Sequence, residues 1–206
     1  MIIIIYILLL AIPLISYFKL KSEADKLVDT TNKPDLSGFE IANKIVDENV
    51  YIIEVRDTML NTYYKSRETI KLSTRVFHSS DILSSLIAAR LAFQTKKKSF
   101  LTGSLLNVLD ILNIVSFICF LVGILYDIEF CILGVAIIAC SLGITMTDMI
   151  SNKEVNDQAF DYLIKKKIVD KKYEYLKDIV KYEYVARIFS IIPDSIAKLI
   201  RTVFKR

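Results

Sequence analysis

Residues 105–147 read LLNVLDILNIVSFICFLVGILYDIEFCILGVAIIACSLGITMT and give the clearest indication of the architecture. It lacks Lys and Arg, and its charged residues are Asp110, Asp127 and Glu129. Two apolar runs, Leu105 to Tyr126 and Phe130 to Thr147, flank a very short turn. A transmembrane helix needs about 20 mainly apolar residues, and each run is close to that length. The stretch therefore predicts a transmembrane helical hairpin.

The composition agrees with a membrane protein that also carries soluble parts. Of the 206 residues, 53% are hydrophobic and 24% are charged, and the mean hydropathy is +0.44. All 27 Lys and Arg residues lie at 19–104 or 148–206, so charged and apolar sequence are segregated along the chain. The length leaves room for one small soluble domain beside the spans. We predict a mostly α membrane protein with a small cytoplasmic α+β unit.

Met1 to Phe18 form an uncharged run that predicts a first transmembrane helix. At about 1.5 Å per residue the run reaches roughly 27 Å, just enough to cross a hydrocarbon core. Lys19 and Lys21 follow the run, whereas a secretory signal has basic residues before it and a cleavage site after it. We therefore expect an uncleaved anchor at 1–18.

The basic residues predict the orientation, because Lys and Arg near the ends of spans stay in the cytoplasm. They are concentrated between the first two spans, at Lys19, Lys21, Lys26, Arg90 and Lys96 to Lys98. We expect a multi-pass protein of the cell membrane, with the N-terminus outside and with 19–104 and 148–183 in the cytoplasm. Its first partner is then the lipid bilayer. A net charge of +4 is too small and dispersed to indicate nucleic acid.

Residues 184–206 are apolar enough to enter a membrane, yet their charged residues share one helical face. The charged set is Arg187, Asp194, Lys198, Arg201 and Lys205, and the opposite face carries Phe189, Ile192, Ile196, Leu199, Ile200 and Val203. This pattern predicts an amphipathic helix that lies in the membrane interface. A tilted fourth span stays open as the alternative, although charges inside a bilayer are costly.

The helices outside the membrane are predicted from caps and apolar spacing. Ser37 and Glu40 form a capping box for a helix that runs to about Glu48. Ser79 or Ser80 is the expected N-cap of a second helix, which ends near Phe93 and buries an apolar stripe. Beyond the hairpin we expect helices at Asp157–Lys166 and at Lys171–Tyr184, the latter capped by Asp170.

Three segments between these helices favour strands. Tyr51 to Val55 is an apolar run that predicts one strand. Met59–Tyr64 and Thr69–Ser73 predict a hairpin around Lys65 to Glu68. The segment between the anchor and the membrane hairpin is therefore an α+β unit rather than a linker.

Three further features have structural interpretations. His78 precedes a helix cap, and its neighbours Ser79 and Asp81 are too close in sequence to form a catalytic triad with it. Polar residues recur every three positions at the start of the second span, and we interpret them as a packing seam rather than an ion path. They are Asn107, Asp110 and Asn113. The three cysteines fall in the hairpin and are expected to pack as small apolar residues.

Part of the α+β unit resembles a known family. The matching residues are Phe39 to Asn49, Val55, Leu60, Tyr63, Thr69 to Ser73, Val76, Phe77, Ile82, Ala88 and Ala89. They look like the bacterial membrane-anchored zinc metallopeptidases of the neutral, HExxH type. The resemblance covers residues 37–94 by motif and the rest by hydropathy and spacing. It implies an N-terminal anchor, a short α+β segment, a hydrophobic hairpin and a C-terminal helical part.

The zinc-binding motif of that family is replaced in this chain. The family places an HEVGH-like motif after a pair of alanines, where this chain has Arg90, Leu91, Ala92, Phe93 and Gln94. In the motif, two His at i and i+4 bind zinc from one helix face and the Glu polarises the attacking water. Arg90 offers only donors and stays protonated, Leu91 cannot act as a base, and the Gln94 amide is a poor zinc ligand.

The other site positions of the family are also altered. A third ligand in such families is a Glu just after the membrane hairpin. Without gaps Asn152 takes this position, whereas a shift of two residues places Glu154 there, and both alternatives stay open. The family's Asp-His-Tyr motif keeps only its tyrosine, at Tyr63. We expect Arg90 to pair with an acidic neighbour such as Glu154.

These replacements predict a pseudopeptidase that binds a protein or peptide partner without cleaving it. We assign no catalytic residue, metal ligand or cofactor, because one histidine per chain cannot rebuild the HExxH site. An active membrane zinc peptidase with a non-standard or shared metal site is one alternative. A membrane scaffold or transport accessory protein is the other.

Overall fold

The structure is a computed structural model that describes residues 1–28, 35–56, 61–97, 103–186 and 188. The described chain is mostly helical and contains one small sheet. The helices are α1 Ile2–Val28, α2 Gly38–Asn43, α3 Thr74–His78, α4 Ile82–Lys96, α5 Gly103–Leu125, α6 Ile128–Ser151, α7 Lys153–Lys165 and α8 at residues 176–186. The strands are β1 Tyr51–Val55, β2 Thr62–Tyr64 and β3 Thr69–Ser73.

Three of these helices are long and apolar enough to cross a membrane. They are α1, α5 and α6, the three spans that the hydropathy of the sequence predicts. α1 continues without a break to Val28, ten residues past the predicted end at Phe18. Its last turns carry Ala24 and Leu27, which are buried in the core of the α+β unit. α1 is therefore both an apolar span and a structural part of that unit.

α5 and α6 form the predicted hairpin, joined at Asp127. The Asp127 side chain accepts a hydrogen bond from the Glu129 amide and caps α6. The helices approach closely at Gly123 and Gly134. A Cβ atom added at Gly123 would lie 2.4 Å from the Cys131 amide nitrogen, so a larger residue does not fit. Cys119, Cys131 and Cys140 are free thiols.

The sheet has the strand order β1-β3-β2. β3 pairs in parallel with β1 and antiparallel with β2, which confirms the predicted hairpin. A 3₁₀ turn at Lys65–Arg67 joins β2 to β3, and Glu68 closes it in the left-handed region at φ 46°. β2 begins at Thr62, whereas Met59 and Leu60 of the predicted strand lie outside the described residues.

The helix caps differ in part from those predicted. The capping box of Ser37 and Glu40 is present, but α2 ends at Asn43 rather than near Glu48. The N-cap of α4 is Asp81, which contradicts the prediction of Ser79 or Ser80. The Asp81 carboxylate accepts from the Ser84 amide at 2.8 Å and from the Ser79 hydroxyl at 2.7 Å. The Ser79 hydroxyl therefore donates to Asp81 instead of capping the helix itself.

α4 lies at the centre of the α+β unit and is buried on nearly every side. Its predicted apolar stripe is buried, and so are polar residues on its other faces. These polar residues are Ser84, Ser85, Arg90 and Gln94. The helix runs to Lys96, one turn beyond the predicted end at Phe93. Because α4 is buried on nearly every side, its polar side chains need hydrogen-bond partners within the protein. Arg90 and Gln94, together with their partners, form the site described below.

The helices after the hairpin also differ from the prediction. α7 begins at Lys153 instead of Asp157. Asp170 precedes a 3₁₀ turn at Lys171–Tyr173 and makes no side-chain cap bond, so the predicted helix begins later, at residue 176. Most of the predicted C-terminal amphipathic helix at 184–206 lies outside the described residues. Val185 and Ile188 are described, and both pack with Ile138 and Leu142 of α6.

Candidate functional site

Arg90 is the buried charge at the middle of α4, with only 2% of its surface exposed. Its Nη2 atom forms an ion pair with the Glu183 carboxylate of α8. Its Nη1 atom donates to the Val180 carbonyl at 3.3 Å, and its guanidinium lies 4.8 Å from the centre of the Tyr184 ring. The charge of Arg90 is therefore paired within the protein.

Glu183 extends this ion pair to the sheet. Its second carboxylate oxygen accepts from the Asn61 side-chain amide at 2.7 Å. The Asn61 carbonyl oxygen in turn accepts from the Ser73 backbone amide at 2.8 Å. Arg90, Glu183 and Asn61 thus join α4, α8 and the sheet through one buried hydrogen-bonded chain. Such a chain is stable only when its members are satisfied together.

Gln94 lies one turn after Arg90 and binds the next residue of α8. Its amide nitrogen donates to the Tyr184 hydroxyl oxygen at 2.8 Å. Burial raises the pKa of Tyr184 to about 12, although Arg90 acts in the opposite direction. Tyr184 therefore stays neutral in the physiological range and can donate its own proton.

The electrostatic surroundings keep Arg90 charged. Burial lowers the pKa of Arg90, but the Glu183 carboxylate and, more weakly, Tyr184 and Asp148 outweigh it and raise the pKa overall. Asp148 is itself buried, and the Asn152 amide donates to its carboxylate at 2.9 Å. Arg90 therefore has one direct carboxylate partner and a second acidic group close by.

The structure brings some of the sequence-predicted positions together and separates others. Arg90 and Gln94 share Tyr184, and Asn152 donates to Asp148, whose charge acts on Arg90. The predicted pairing of Arg90 with an acidic residue is confirmed, but the partner is Glu183 and not Glu154. Glu154 is 69% exposed and pairs instead with Lys97 at 3.0 Å.

Leu91 and Tyr63 stand apart from this hydrogen-bonded group. Leu91 is buried among apolar residues of the core. Tyr63 is half-buried at the edge of that core, in β2 opposite Ile70. Tyr63 therefore belongs to the packing of the sheet, whereas Asn61, two residues before it, reaches the ion pair.

Three residues of the site were missed by the sequence reasoning, namely Asp148, Glu183 and Tyr184, and Asn61 was noted only as part of the altered Asp-His-Tyr motif. A buried arginine requires a carboxylate, which is the one signal available in the sequence. The chain offers 23 Asp and Glu residues, so this signal alone could not select Glu183.

The side chains present do not fit a zinc ion. Zinc sites are built from neutral imidazoles, thiolates and carboxylates. Arg90, which the resemblance assigns to the position of the first motif histidine, is a buried guanidinium that repels a divalent cation, and Gln94 uses its amide to bind Tyr184. Among the described residues, no group of three or more His, Cys, Asp or Glu side chains is placed to hold a metal.

Comparison with known proteins gives one finding. No curated protein and no solved structure matches the chain significantly. A family model with the description "Putative neutral zinc metallopeptidase" matches residues 1–205, nearly the whole chain. The match covers the apolar helices and the α+β unit together. The chain therefore belongs to this family of neutral zinc metallopeptidases.

Proposed function

We propose that this chain is a membrane-embedded, non-catalytic member of its family, which binds a protein or peptide partner without cleaving it. The observation that carries the proposal is the buried ion pair between Arg90 and Glu183. It lies on the helix to which the resemblance assigns the zinc motif. A permanent cation with a satisfied partner replaces a metal ligand there.

Three features around the ion pair support this proposal. Leu91, at the position assigned to the catalytic Glu, is a buried apolar side chain and cannot polarise water. Gln94 donates to Tyr184. Asn152 rather than Glu154 is the residue buried beside this group, so we infer that Asn152 occupies the third-ligand position. An amide replaces the carboxylate of the family there.

The metal content of the purified protein tests the first half of the proposal. The protein is prepared in detergent from zinc-supplemented cells, washed, and analysed for zinc per chain by mass spectrometry. We expect far less than one zinc per chain. About one zinc per chain that survives washing and leaves with a chelator would contradict the proposal.

A peptide assay tests the second half. A fluorescent library of extended peptides is incubated with the protein in detergent micelles, and both binding and product mass are measured. We expect saturable binding and intact peptides. A variant with Arg90→His, Leu91→Glu and Gln94→His carries the residues of the family's HExxH motif at these positions. This variant is the matched control and is assayed under the same conditions. Chelator-sensitive cleavage by the unaltered chain would instead favour a working peptidase with a shared metal site.

The scaffold alternative is distinguished by the same assay. A scaffold or transport accessory protein would neither hold zinc nor bind peptides, so absence of binding would favour it. The three helices that are long and apolar enough to span a membrane support a membrane location for either protein. We further propose that the N-terminus lies outside the cell and the α+β unit lies in the cytoplasm, because the basic residues flank the α+β side of the spans.

A further inference from the structure

The contact between α5 and α6 follows a regular seam. Its residues alternate steps of three and four positions, as expected for helices that pack at a shallow angle. On α5 they are Leu109, Asn113, Ser116, Phe120 and Gly123, and on α6 they are Cys131, Gly134, Ile138, Ser141 and Thr145. All ten are buried. The seam is therefore the interior of the membrane hairpin.

Two contacts fix the register of the seam. Gly123 lies against the Cys131 backbone, and the Ser116 hydroxyl donates to the Gly134 carbonyl at 2.7 Å. Because the helices are antiparallel, each step back along α5 corresponds to a step forward along α6. Counted from the Gly123–Cys131 contact, three seam steps back along α5 and three forward along α6 place Asn113 at the level of Ser141. This layer of the hairpin is thus polar on both sides.

The polar atoms of Asn113 and Ser141 differ in their hydrogen bonding from other buried polar atoms of the apolar helices. Ser116 bonds to Tyr6 and Gly134, and the Thr145 hydroxyl donates to carbonyls of its own helix. Asn113 Oδ1 and Ser141 Oγ, by contrast, have no hydrogen-bond partner within the described part of the chain. Their residues are 2% and 1% exposed. Burying a polar atom without a hydrogen-bond partner in an apolar interior typically costs several kcal/mol of stability. We therefore expect both atoms to bind a ligand.

The seam also connects to the site around Arg90. Ser141, Thr145, Asp148 and Asn152 follow one face of α6 and its C-terminal cap at steps of four, three and four. All four are buried, and Asp148 is close enough to Arg90 to raise its pKa. A row of buried polar side chains therefore runs along α6 from Asn152 to Ser141.

We propose that Asn113 and Ser141 bind an internal water molecule between α5 and α6. The water donates to Asn113 Oδ1 and bonds to the Ser141 hydroxyl, which meets the minimum of two polar partners for buried water. The two side-chain atoms do not bond each other, so the water couples them. A single hydrated polar layer also fixes the register of the hairpin, as one buried Asn does in coiled coils.

Water-edited solid-state NMR of the protein in bilayers tests the proposal directly. We expect magnetisation to pass from water to the Asn113 side-chain amide at short mixing times, and this transfer to be lost in Ser141→Ala. Leu112, which faces away from the seam on the exposed side of α5, is the internal reference. Transfer to Asn113 no faster than to Leu112 would overturn the proposal.

A double-mutant cycle gives a second readout that needs no assignment of resonances. Asn113→Leu and Ser141→Ala should each shift the melting temperature, and their shifts should fail to add in the double variant because the shared water is lost once. Thr145→Val removes a hydroxyl that bonds within its own helix, and its shift should add to that of Asn113→Leu. Additive shifts for Asn113 and Ser141 would contradict a bridging water.

Discussion

Arg90 retains its charge in the interior because Glu183 supplies the compensating carboxylate. If one partner of a buried ion pair is removed, the other remains as an unpaired buried charge. The resulting loss of folding free energy is larger than the net stability that the pair provides over apolar residues at the same positions. Glu183 also accepts a hydrogen bond from the Asn61 side chain. The ion pair therefore acts as a fixed cross-link between α4, α8 and the sheet.

We expect Arg90→Met to lower the free energy of unfolding by about 3–5 kcal/mol, because Glu183 is left buried and unpaired. Denaturant unfolding in detergent micelles measures this change. Lys97→Met is the matched control, since its partner Glu154 is largely exposed, and it should cost less than about 1 kcal/mol. The double variant Arg90→Met with Glu183→Met should lose less than Arg90→Met alone. Equal losses for Arg90→Met and Lys97→Met would contradict the structural role of the pair.

The raised pKa of Tyr184 gives a pH dependence in the alkaline range. The folded pKa is about 12 and the ordinary value is 10.0, so the folded state holds this proton more tightly. The resulting stability is fully present below about pH 10 and is lost as the pH rises towards about 12. At about 1.4 kcal/mol per pKa unit, Tyr184 contributes roughly 2–3 kcal/mol to this loss. Tyr184→Phe should flatten the unfolding profile by that amount, and an unchanged slope would contradict the assignment.

At the residue scale, the sequence drew attention to Arg90 and Gln94 through their place after Ala88 and Ala89 in the segment that resembles the family, but not to the residues that bind them. Glu183 and Asn61 lie 93 and 122 positions from their partners, Arg90 and Glu183 respectively. Their pairing depends on how α8 packs against α4 and the sheet, which neither local propensity nor spacing encodes.

At the scale of elements, the start of α4 shows a competition between neighbouring caps. Ser79, Ser80 and Asp81 can each cap a helix, and a serine N-cap was predicted. The structure selects Asp81, whose carboxylate accepts from the Ser84 amide, the Ser84 hydroxyl and the Ser79 hydroxyl. A carboxylate has lone pairs for all three donors, whereas a serine hydroxyl does not.

Asp81→Ala should therefore destabilise the α+β unit, whereas Ser80→Ala should not. We expect a loss near the upper end of the usual 0.5–2 kcal/mol for a cap, about 2 kcal/mol, because Asp81 is buried and three donors lose their acceptor. Ser80→Ala should change the free energy of unfolding by less than about 0.5 kcal/mol. Thermal unfolding followed by circular dichroism compares the two variants. A larger loss of stability for Ser80→Ala than for Asp81→Ala would favour the predicted serine N-cap instead.

The hairpin offers a matched pair of glycines for testing its packing. A Cβ at Gly123 would meet the Cys131 backbone at 2.4 Å, whereas a Cβ at Gly143 would meet no described residue within 4 Å. Gly123→Ala should force α5 and α6 apart and cost about 1–3 kcal/mol. Gly143→Ala should be neutral or slightly stabilising, because alanine is the better helix former. Melting temperatures in detergent decide between them, and equal shifts would contradict the close contact.

The elements themselves were predicted better than their ends. The apolar runs located α1, α5 and α6 because a membrane span has a strong, continuous signal. α4 is different, because it is buried on nearly all sides and carries polar residues among its buried positions. Periodicity identified its apolar stripe correctly, but it could not reveal that Arg90 and Gln94 face the interior as well.

At the scale of the whole molecule, α1 is bound to the same segment of α8 that forms the site. Lys19 donates to the Tyr182 hydroxyl at 2.9 Å, and the next two residues of α8 bind Arg90 and Gln94. Near the far end of α1, Arg75 donates to the Ala24 carbonyl at 2.7 Å. The first apolar helix and the α+β unit are therefore joined by direct contacts at two levels, and the helix is more than a tether.

The proposed arrangement of the chain across a membrane yields the last prediction. The hairpin tip at Asp127 carries no basic residue, whereas Lys19, Lys21, Lys97 and Lys153 flank the opposite ends of the spans. Because basic flanks stay in the cytoplasm, we expect Asp127→Cys, in a chain whose three cysteines are replaced by serine, to react in intact cells with a membrane-impermeant thiol reagent. Gln158→Cys on the exposed side of α7 is the control, and it should react only after the cells are opened. The reverse pattern would invert the orientation, and reaction at both positions in intact cells would contradict a hairpin that crosses the bilayer.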